Sequence, residues 1–287
     1  MQTERSDPAV NRAFQLSRAT AANHLSSPET EAWTTHLAES IVRGSTTERA
    51  VSLDIAFDRS NPLSILDLCT GSGCITLLLH ALLSRHFPTL QLLGVDASRP
   101  AVGLALSNLH SSVLAKRLHP RAVNQVRFIR SDIFENDVVA YGQRDILVAN
   151  PPYISPQGFD RDTSVSVRRY EPRRALVPPD DVLGAGQSDS TTNKDQNIGD
   201  AFYPRLLDIA HKISAKLVVL EVADMNQAKR VVALVLARNP GAECEIWRDW
   251  PSWTPSKHET VQLGGNLVRV VGQGNGRAVA IKTNGKT

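Results

Sequence analysis

From residue 62 onward, short apolar runs alternate with segments of helix length, and that rhythm restricts the chain to few folds. Leu63–Leu68, Leu90–Val95, Val126–Arg130, Asp145–Ala149 and Lys216–Val222 read as strands. Gly73–Leu83, Pro100–Leu118, Tyr203–Ile213 and Met225–Ala237 read as helices. Strands spaced by helices predict an α/β domain whose mostly parallel sheet is covered on both faces. Cys244–Trp247, Asn266–Val271 and Ala278–Lys282 are expected to close the sheet with antiparallel pairing.

A helix is predicted upstream as well. Ser27 can cap it, Pro28 suits the first helical position, and Glu29 and Glu31 oppose the helix dipole. Trp33, Leu37, Ile41 and Val42 recur at helical spacing up to Gly44. The expected organisation is a tail over 1–25, a helical lead over 26–60 and one domain over 61–287. Gly184–Asp200 is polar and aperiodic and reads as a mobile surface insertion. Residues 8–25 lack acids and carry Arg12 and Arg18, so the tail is either a transit segment or a frayed end.

Composition excludes several classes. Lys plus Arg is 32 against 29 Asp plus Glu, and a net charge of +3 gives no general field for nucleic acid. The longest apolar run, Ile75–Leu83, falls short of the ~18 residues of a membrane span and is broken by His80. Three cysteines make no disulfide scaffold, and no Cys/His spacing resembles a zinc site. A soluble protein of a reducing compartment is expected, with no metal.

Asp67-Leu-Cys69-Thr70-Gly71-Ser72-Gly73 lies where the first strand meets the first helix. Glycines there let backbone approach a ligand, and the helix start offers free N–H groups. The nicotinamide fingerprint would want glycine at position 76, which is Thr76. Asp96 ends the second strand, where a carboxylate can accept both hydroxyls of an adenosine ribose. Asp132 ends the third, placed to accept from an adenine amino group, with Ile133 to pack on the ring. Asn150 ends the fourth, so all four positions fall at adjacent carboxyl ends.

Asn150-Pro151-Pro152-Tyr153 is the most specific stretch. The prolines end the strand, lack N–H groups and leave carbonyls pointing outward. With the Asn150 side-chain oxygen these form acceptors for an –NH₂ group, and Tyr153 offers a flat face for a planar amide or base. The implied chemistry is methylation of a resonance-deadened nitrogen by positioning and matched dipoles, with no dedicated base. Arg161, Arg168, Arg169, Arg173 and Arg174 cluster downstream, either a solvated face or a docking surface for an acidic partner or RNA.

The whole pattern resembles the protein release-factor glutamine N5-methyltransferases, the HemK family. The likeness runs from about residue 26 to 282 through Pro28-Glu29-Thr30-Glu31, Asp67–Gly73, Val95-Asp96, Ser131-Asp132 and Asn150–Tyr153, then Tyr170-Glu171-Pro172-Arg173, Phe202-Tyr203 and Leu220-Glu221-Val222. It implies a Rossmann-like class I methyltransferase fold with a seven-stranded, mostly parallel sheet and an antiparallel closing strand. It also implies S-adenosyl-L-methionine as cofactor, contacted by residues 69–73, Asp96, Ile133 and Asn150, with Asp67 and Asp132 beside them. The implied substrate is the glutamine of the Gly-Gly-Gln motif in a class I peptide chain release factor, held by Asn150–Tyr153. The implied setting is mitochondrial, or cytoplasmic in a bacterium, without stable nucleic-acid or membrane binding.

Asn-Pro-Pro-Tyr is shared with adenine N6-methyltransferases, so a methylase of RNA or DNA adenine is the alternative. A cofactor-binding scaffold without activity is a third. Cys69 stands where the resembled family usually has glycine, and about 25 residues precede Pro28-Glu29-Thr30-Glu31 where that family carries a helical domain.

Overall fold

The computed structural model describes residues 27–44, 53, 55–135, 141–163, 165–170, 172–179, 182, 198–251 and 259–283. The expected tail (1–25), most of the expected insertion (184–197) and Glu171 lie outside the described residues.

The five strands expected before residue 223 form within one residue of their predicted limits: β1 (Ser64–Leu68), β2 (Gln91–Asp96), β3 (Val126–Arg130), β4 (Ile146–Ala149) and β5 (Leu217–Glu221). They pair in parallel in the order β3-β2-β1-β4-β5. Strict alternation along each strand explains why both sheet faces are covered. Ile65, Ile146, Val148, Leu217 and Val219 join one core, while Leu66, Leu68, Leu147, Ala149, Val218 and Leu220 join the other.

The first core is roofed by α1 (Pro28–Gly44), α2 (Cys74–Leu83) and α3 (Arg99–Leu114), with α4 (Ala122–Gln125) leading into β3. The Ser27 hydroxyl accepts from the Thr30 N–H at 3.1 Å, the cap that the sequence predicts. Trp33, Leu37 and Ile41 are fully buried, at roughly 1.5–3 kcal/mol each for the apolar surface removed from water, so α1 is held as part of the domain. Helix α3 stops at Leu114 and not at the expected Leu118. Lys116 turns left-handed (φ 56°), and the N–H groups of Lys116 and Arg117 return to the Val113 and Ser112 carbonyls, closing the helix end.

Three short helices follow β4: α5 (Pro156–Asp162), α6 (Val165–Tyr170) and α7 (Arg173–Leu176). Helices α8 (Tyr203–Lys212) and α9 (Met225–Arg238) roof the second core through Leu206, Ile209, Val231 and Val235.

The closing strands correct the expectation. The sheet has nine strands among the described residues, in the order β3-β2-β1-β4-β5-β9-β6-β8-β7. The added elements are β6 (Glu243–Trp250), β7 (Glu259–Leu263), β8 (Asn266–Val271) and β9 (Gln273–Lys282). The segments 266–271 and 278–282 do not pair with each other. Instead β9 runs antiparallel between β5 and β6, while β8 lies parallel to β6 and forms a hairpin with β7. Ala278, Val279, Ala280 and Ile281 are buried on both faces, which suits an interior strand whose two edges are already taken. Gly264 and Gly265, both at positive φ (52° and 83°), make the two-residue turn of the hairpin.

Candidate active site

Strand register lines the predicted residues up in one row. Leu68 pairs with Val95 on one side and Ala149 on the other, and Ala149 pairs with Leu220. One residue further, Asp96, Cys69, Asn150 and Glu221 stand side by side at the carboxyl ends of β2, β1, β4 and β5. The row crosses the gap between β1 and β4, where the winding of the sheet reverses and open α/β sheets take ligands.

On the β1 side the chain is drawn tight over its own strand ends. Cys69, Gly71 and Gly73 all take positive φ (59°, 56° and 81°), so Cys69 occupies a conformation that favours glycine. The Thr70 N–H donates to the Val95 carbonyl at 3.0 Å, and the Gly71 N–H to Asp96 Oδ2 at 2.9 Å. Asp96 Oδ1 accepts from the Ser98 N–H at 2.8 Å, so this carboxylate buckles two loops and keeps a further lone pair on each oxygen. The Ser72 carbonyl is held by Asn108 at 3.0 Å. A Cβ on Gly73 would stand 2.7 Å from the Phe128 ring, whereas one on Gly71 would meet nothing within 4 Å. Gly73 is there for packing; Gly71 borders open space.

Asp67 Oδ2 accepts from the Thr70 and Thr76 hydroxyls, each at 2.6 Å, while its buried Oδ1 has no partner among the described residues. Burial pushes the Asp67 carboxyl up to about 6. Burial, and then the charges of Asp96, Asp67 and Asp132, push the Cys69 thiol far up, so three acids converge on this loop and its sulfur stays protonated. Asp132 Oδ1 accepts from the Phe134 N–H at 2.9 Å. Ile133 is buried, its carbonyl held by Arg205 at 2.6 Å, and Phe134 stands edge-on to Phe202 with ring centroids 5.0 Å apart. These groups fit S-adenosyl-L-methionine. Its cationic centres suit the acids and the orphaned Asp67 Oδ1, its ribose diol suits Asp96, and its flat purine suits Ile133. The open space at Gly71 lets backbone approach it.

On the β4 side, the half-buried Asn150 carboxamide makes no hydrogen bond among the described residues. No described group donates to the main-chain carbonyls of Asn150 and Pro151. Pro151 and Pro152 are buried. The Tyr153 hydroxyl donates to Glu221 Oε1 at 3.0 Å, and its carbonyl accepts from Gln227 at 3.3 Å. Burial and the neighbouring Glu221 charge push the phenol far up, so it stays a donor. The Ile154 N–H reaches the Leu176 carbonyl at 2.9 Å, folding α5–α7 back beside the loop.

One role escaped the sequence reading, that of Glu221, which figures there only within Leu220-Glu221-Val222. Glu221 is buried, and its Oε2 accepts from the Thr30 hydroxyl (2.7 Å) and the Trp33 indole (2.8 Å), tying α1 to the strand ends. A lone carboxylate inside the apolar run Leu217–Val222 was the available signal, since buried charge demands partners. The arginines that the sequence singles out, at 161, 168, 169, 173 and 174, are exposed and borne on α5–α7, the segment that follows the Asn150–Tyr153 loop and is tied back to it through the Ile154 N–H. Arg168 donates to the Asp160 carbonyl at 2.6 Å, and the Arg173 guanidinium lies 5.8 Å from the Phe159 ring centroid.

Among the described residues no cluster could hold a metal ion, and no helix is long and apolar enough to cross a membrane. Residues 47–182 match the family described as N-6 DNA Methylase. Over 199 residues the chain is 33% identical to the probable MRF1 mitochondrial N(5)-glutamine methyltransferase mtq1 of Schizosaccharomyces pombe, covering 65% of this chain and 56% of that protein. It is 31% identical over 223 residues to the release factor glutamine methyltransferase of Bacillus subtilis, covering 77% and 62%. It is 39% identical over 127 residues to the ribosomal protein uL3 glutamine methyltransferase of Francisella tularensis, covering 44% and 35%. The chain thus spans less than two thirds of each relative. It is related to both the glutamine-methylating and the N6-adenine methyltransferases, and its fold is of the S-adenosyl-L-methionine-binding class I type.

Proposed function

On this kinship we propose that the protein transfers a methyl group from S-adenosyl-L-methionine to the nitrogen of a planar –NH₂ group on a macromolecule. The observation that carries the proposal is the Asn150 carboxamide, with the carbonyls of Asn150 and Pro151, all without a hydrogen-bond partner among the described residues and one strand from the Cys69–Gly73 loop.

Asp96, Asp132, Ile133, Asp67 and the backbone of residues 69–73 would hold the cofactor, which supplies an electrophilic methyl group on a sulfonium. The Asn150 side-chain oxygen and the adjacent carbonyls accept both N–H bonds of the acceptor group. That fixes the nitrogen and favours its pyramidal form, so its lone pair faces the methyl carbon. Tyr153, oriented by its bond to Glu221, lies against the plane of the amide or base. The methylated nitrogen is acidic enough to lose its proton to water, so these residues need no base.

Two such groups accord best with the kinship. One is the glutamine of a Gly-Gly-Gln motif in a class I peptide chain release factor. It is supported by the glutamine specificity named for the relatives and by the Pro28-Glu29-Thr30-Glu31 segment. The other is an adenine N6 in RNA or DNA, favoured by the N-6 DNA Methylase match across both halves of the site and by the arginines beside it. In either reading those arginines form the docking surface for the body of the acceptor.

The deciding experiment incubates the full chain with methyl-labelled cofactor and, separately, a release factor, its Gln→Ala variant and total RNA and DNA. Label that remains after nuclease and vanishes with Gln→Ala assigns glutamine. Label released by nuclease assigns adenine. No label in any acceptor rejects the proposal. A mitochondrial setting belongs to the first reading, supported by the acid-poor residues 8–25; failure of isolated mitochondria to import the full chain would remove it.

A further inference from the structure

Glu221 touches none of the reacting groups, yet it gathers donors from distant parts of the chain. Thr30 and Trp33 of α1 both bond its Oε2, at 2.7 and 2.8 Å, and Tyr153 of the acceptor loop bonds its Oε1, at 3.0 Å. A carboxyl group this deep is costly unless hydrogen-bonded, and burial holds its pKa above the usual carboxylate range despite the three donors. Its main chain is fixed independently. Leu220 pairs with Ala149, Glu221 pairs with Ala278, and the Tyr203 hydroxyl donates to the Glu221 carbonyl at 2.9 Å. The rotamer of the side chain is therefore decided by what bonds Oε2, and the direction of Oε1 follows from that.

We propose that Glu221 is a positioning residue: gripped by Thr30 and Trp33, it holds the Tyr153 hydroxyl and thereby the Asn150–Tyr153 loop in the geometry that accepts an –NH₂ group. The proposal rests on the methyl-transfer reading above. It makes the docking of α1 a condition for catalysis, although α1 touches no reacting group. Without the Thr30 donor, Oε2 is held by the Trp33 indole alone, the Glu221 carboxylate turns more readily toward the Arg277 guanidinium, whose charge it already feels, and the acceptor of Tyr153 is less firmly fixed. The loop would then sample orientations in which the carbonyls of residues 150 and 151 diverge.

Thr30→Val in the full chain is nearly isosteric, removes one donor and leaves Trp33 in place. Turnover should fall about tenfold, the loss expected when a hydrogen bond to a charged group goes. Cofactor binding at equilibrium should stay within about twofold, and Thr30→Ser should restore most of the rate. In a Tyr153→Phe background Thr30→Val should cost nothing more, because the link is already cut. Unchanged turnover in Thr30→Val, rate losses that simply multiply in the double variant, or a loss matched by the Thr→Ser variant would each overturn the proposal. If the wild type labels no acceptor, the methyl-transfer reading fails alone, and amide hydrogen exchange at Tyr153 and Ile154 still tests the coupling. Faster exchange there in Thr30→Val supports it; unchanged exchange sinks it.

Discussion

At the scale of single residues, Asn150 and Gly73 are the two poles of the site. Asn150 makes no side-chain hydrogen bond among the described residues, so Asn150→Ala should shift stability by no more than about 0.5 kcal/mol. Its effect should fall on turnover, about 10²–10³-fold, with cofactor affinity kept, which a thermal melt beside transfer and equilibrium-binding assays will separate. The glycines divide the other way. Gly71→Ala meets only the strain of a left-handed φ, about 1–2 kcal/mol, but its methyl would project into the space assigned to the cofactor. Gly73→Ala adds a collision with Phe128, so urea unfolding should rank it less stable than Gly71→Ala, while cofactor titration should single out Gly71→Ala as the weaker binder. Asp67 carries a pH signature. Its folded pKa, about 6, lies above its unfolded value of 3.8, so the fold keeps a proton that the unfolded chain has shed. Its favourable contribution is full below about pH 3.8 and is lost as pH rises through about 6. Melting temperatures taken from pH 4 to 7 should decline in the wild type relative to Asp67→Asn; parallel curves would contradict the shift. The loop residues were legible because glycines and strand-end acids carry their reason in the local sequence. Glu221 was not, because its partners Thr30 and Tyr153 lie 191 and 68 residues away.

Among elements, the parallel half of the sheet was readable and the closing half was not. Strands β1–β5 are short, mostly apolar segments, most of them separated by helices, and a right-handed crossover leaves little freedom over where each goes. The order of β6–β9 depends on which edges remain open once β5 is placed, a long-range fact that no local pattern encodes. Strand β7, Glu259-Thr-Val-Gln-Leu263, went unrecognised because it forms the sheet edge and none of its residues is fully buried. Helix α1 was found by its cap and period, but its weight lies in packing against α2, β6 and β9. There His36 stands edge-on to Trp247, with ring centroids 4.6 Å apart. Burial, and then the charges of Arg43 and Arg269, push His36 down to about 3. The sign is opposite to that of Asp67. The folded pKa lies below the unfolded 6.5, so this stability is present above pH 6.5 and is lost as pH falls toward 3. Wild-type protein should lose melting temperature between pH 6.5 and 4 more steeply than His36→Phe. Equal slopes would mean that the ring is protonated in the fold.

For the whole molecule, charge is balanced in sum and uneven in place. A net charge of +3 gives little steering, yet five arginines stand on α5–α7, which Ile154 and Leu176 tether beside the acceptor loop. Two or three hydrogen bonds to one –NH₂ group cannot also supply the affinity for a large acceptor, so the rest must come from a wider surface. Free glutamine or adenosine should therefore be far poorer acceptors than the macromolecule. Replacing Arg168, Arg173 and Arg174 with Ser should raise the acceptor KM about tenfold with kcat nearly unchanged, since docking energy is shared by ground and transition states. Ionic strength then distinguishes the acceptors. Phosphate contacts release counterions, so three lost arginines would reduce the slope of log KM against log salt by about three for a nucleic acid. A protein acceptor, with its few and partly screened carboxylates, would give a shallow slope in both proteins. A triple variant whose KM equals that of the wild type at every salt concentration would strip the arginine face of any docking role and leave it a solvated surface.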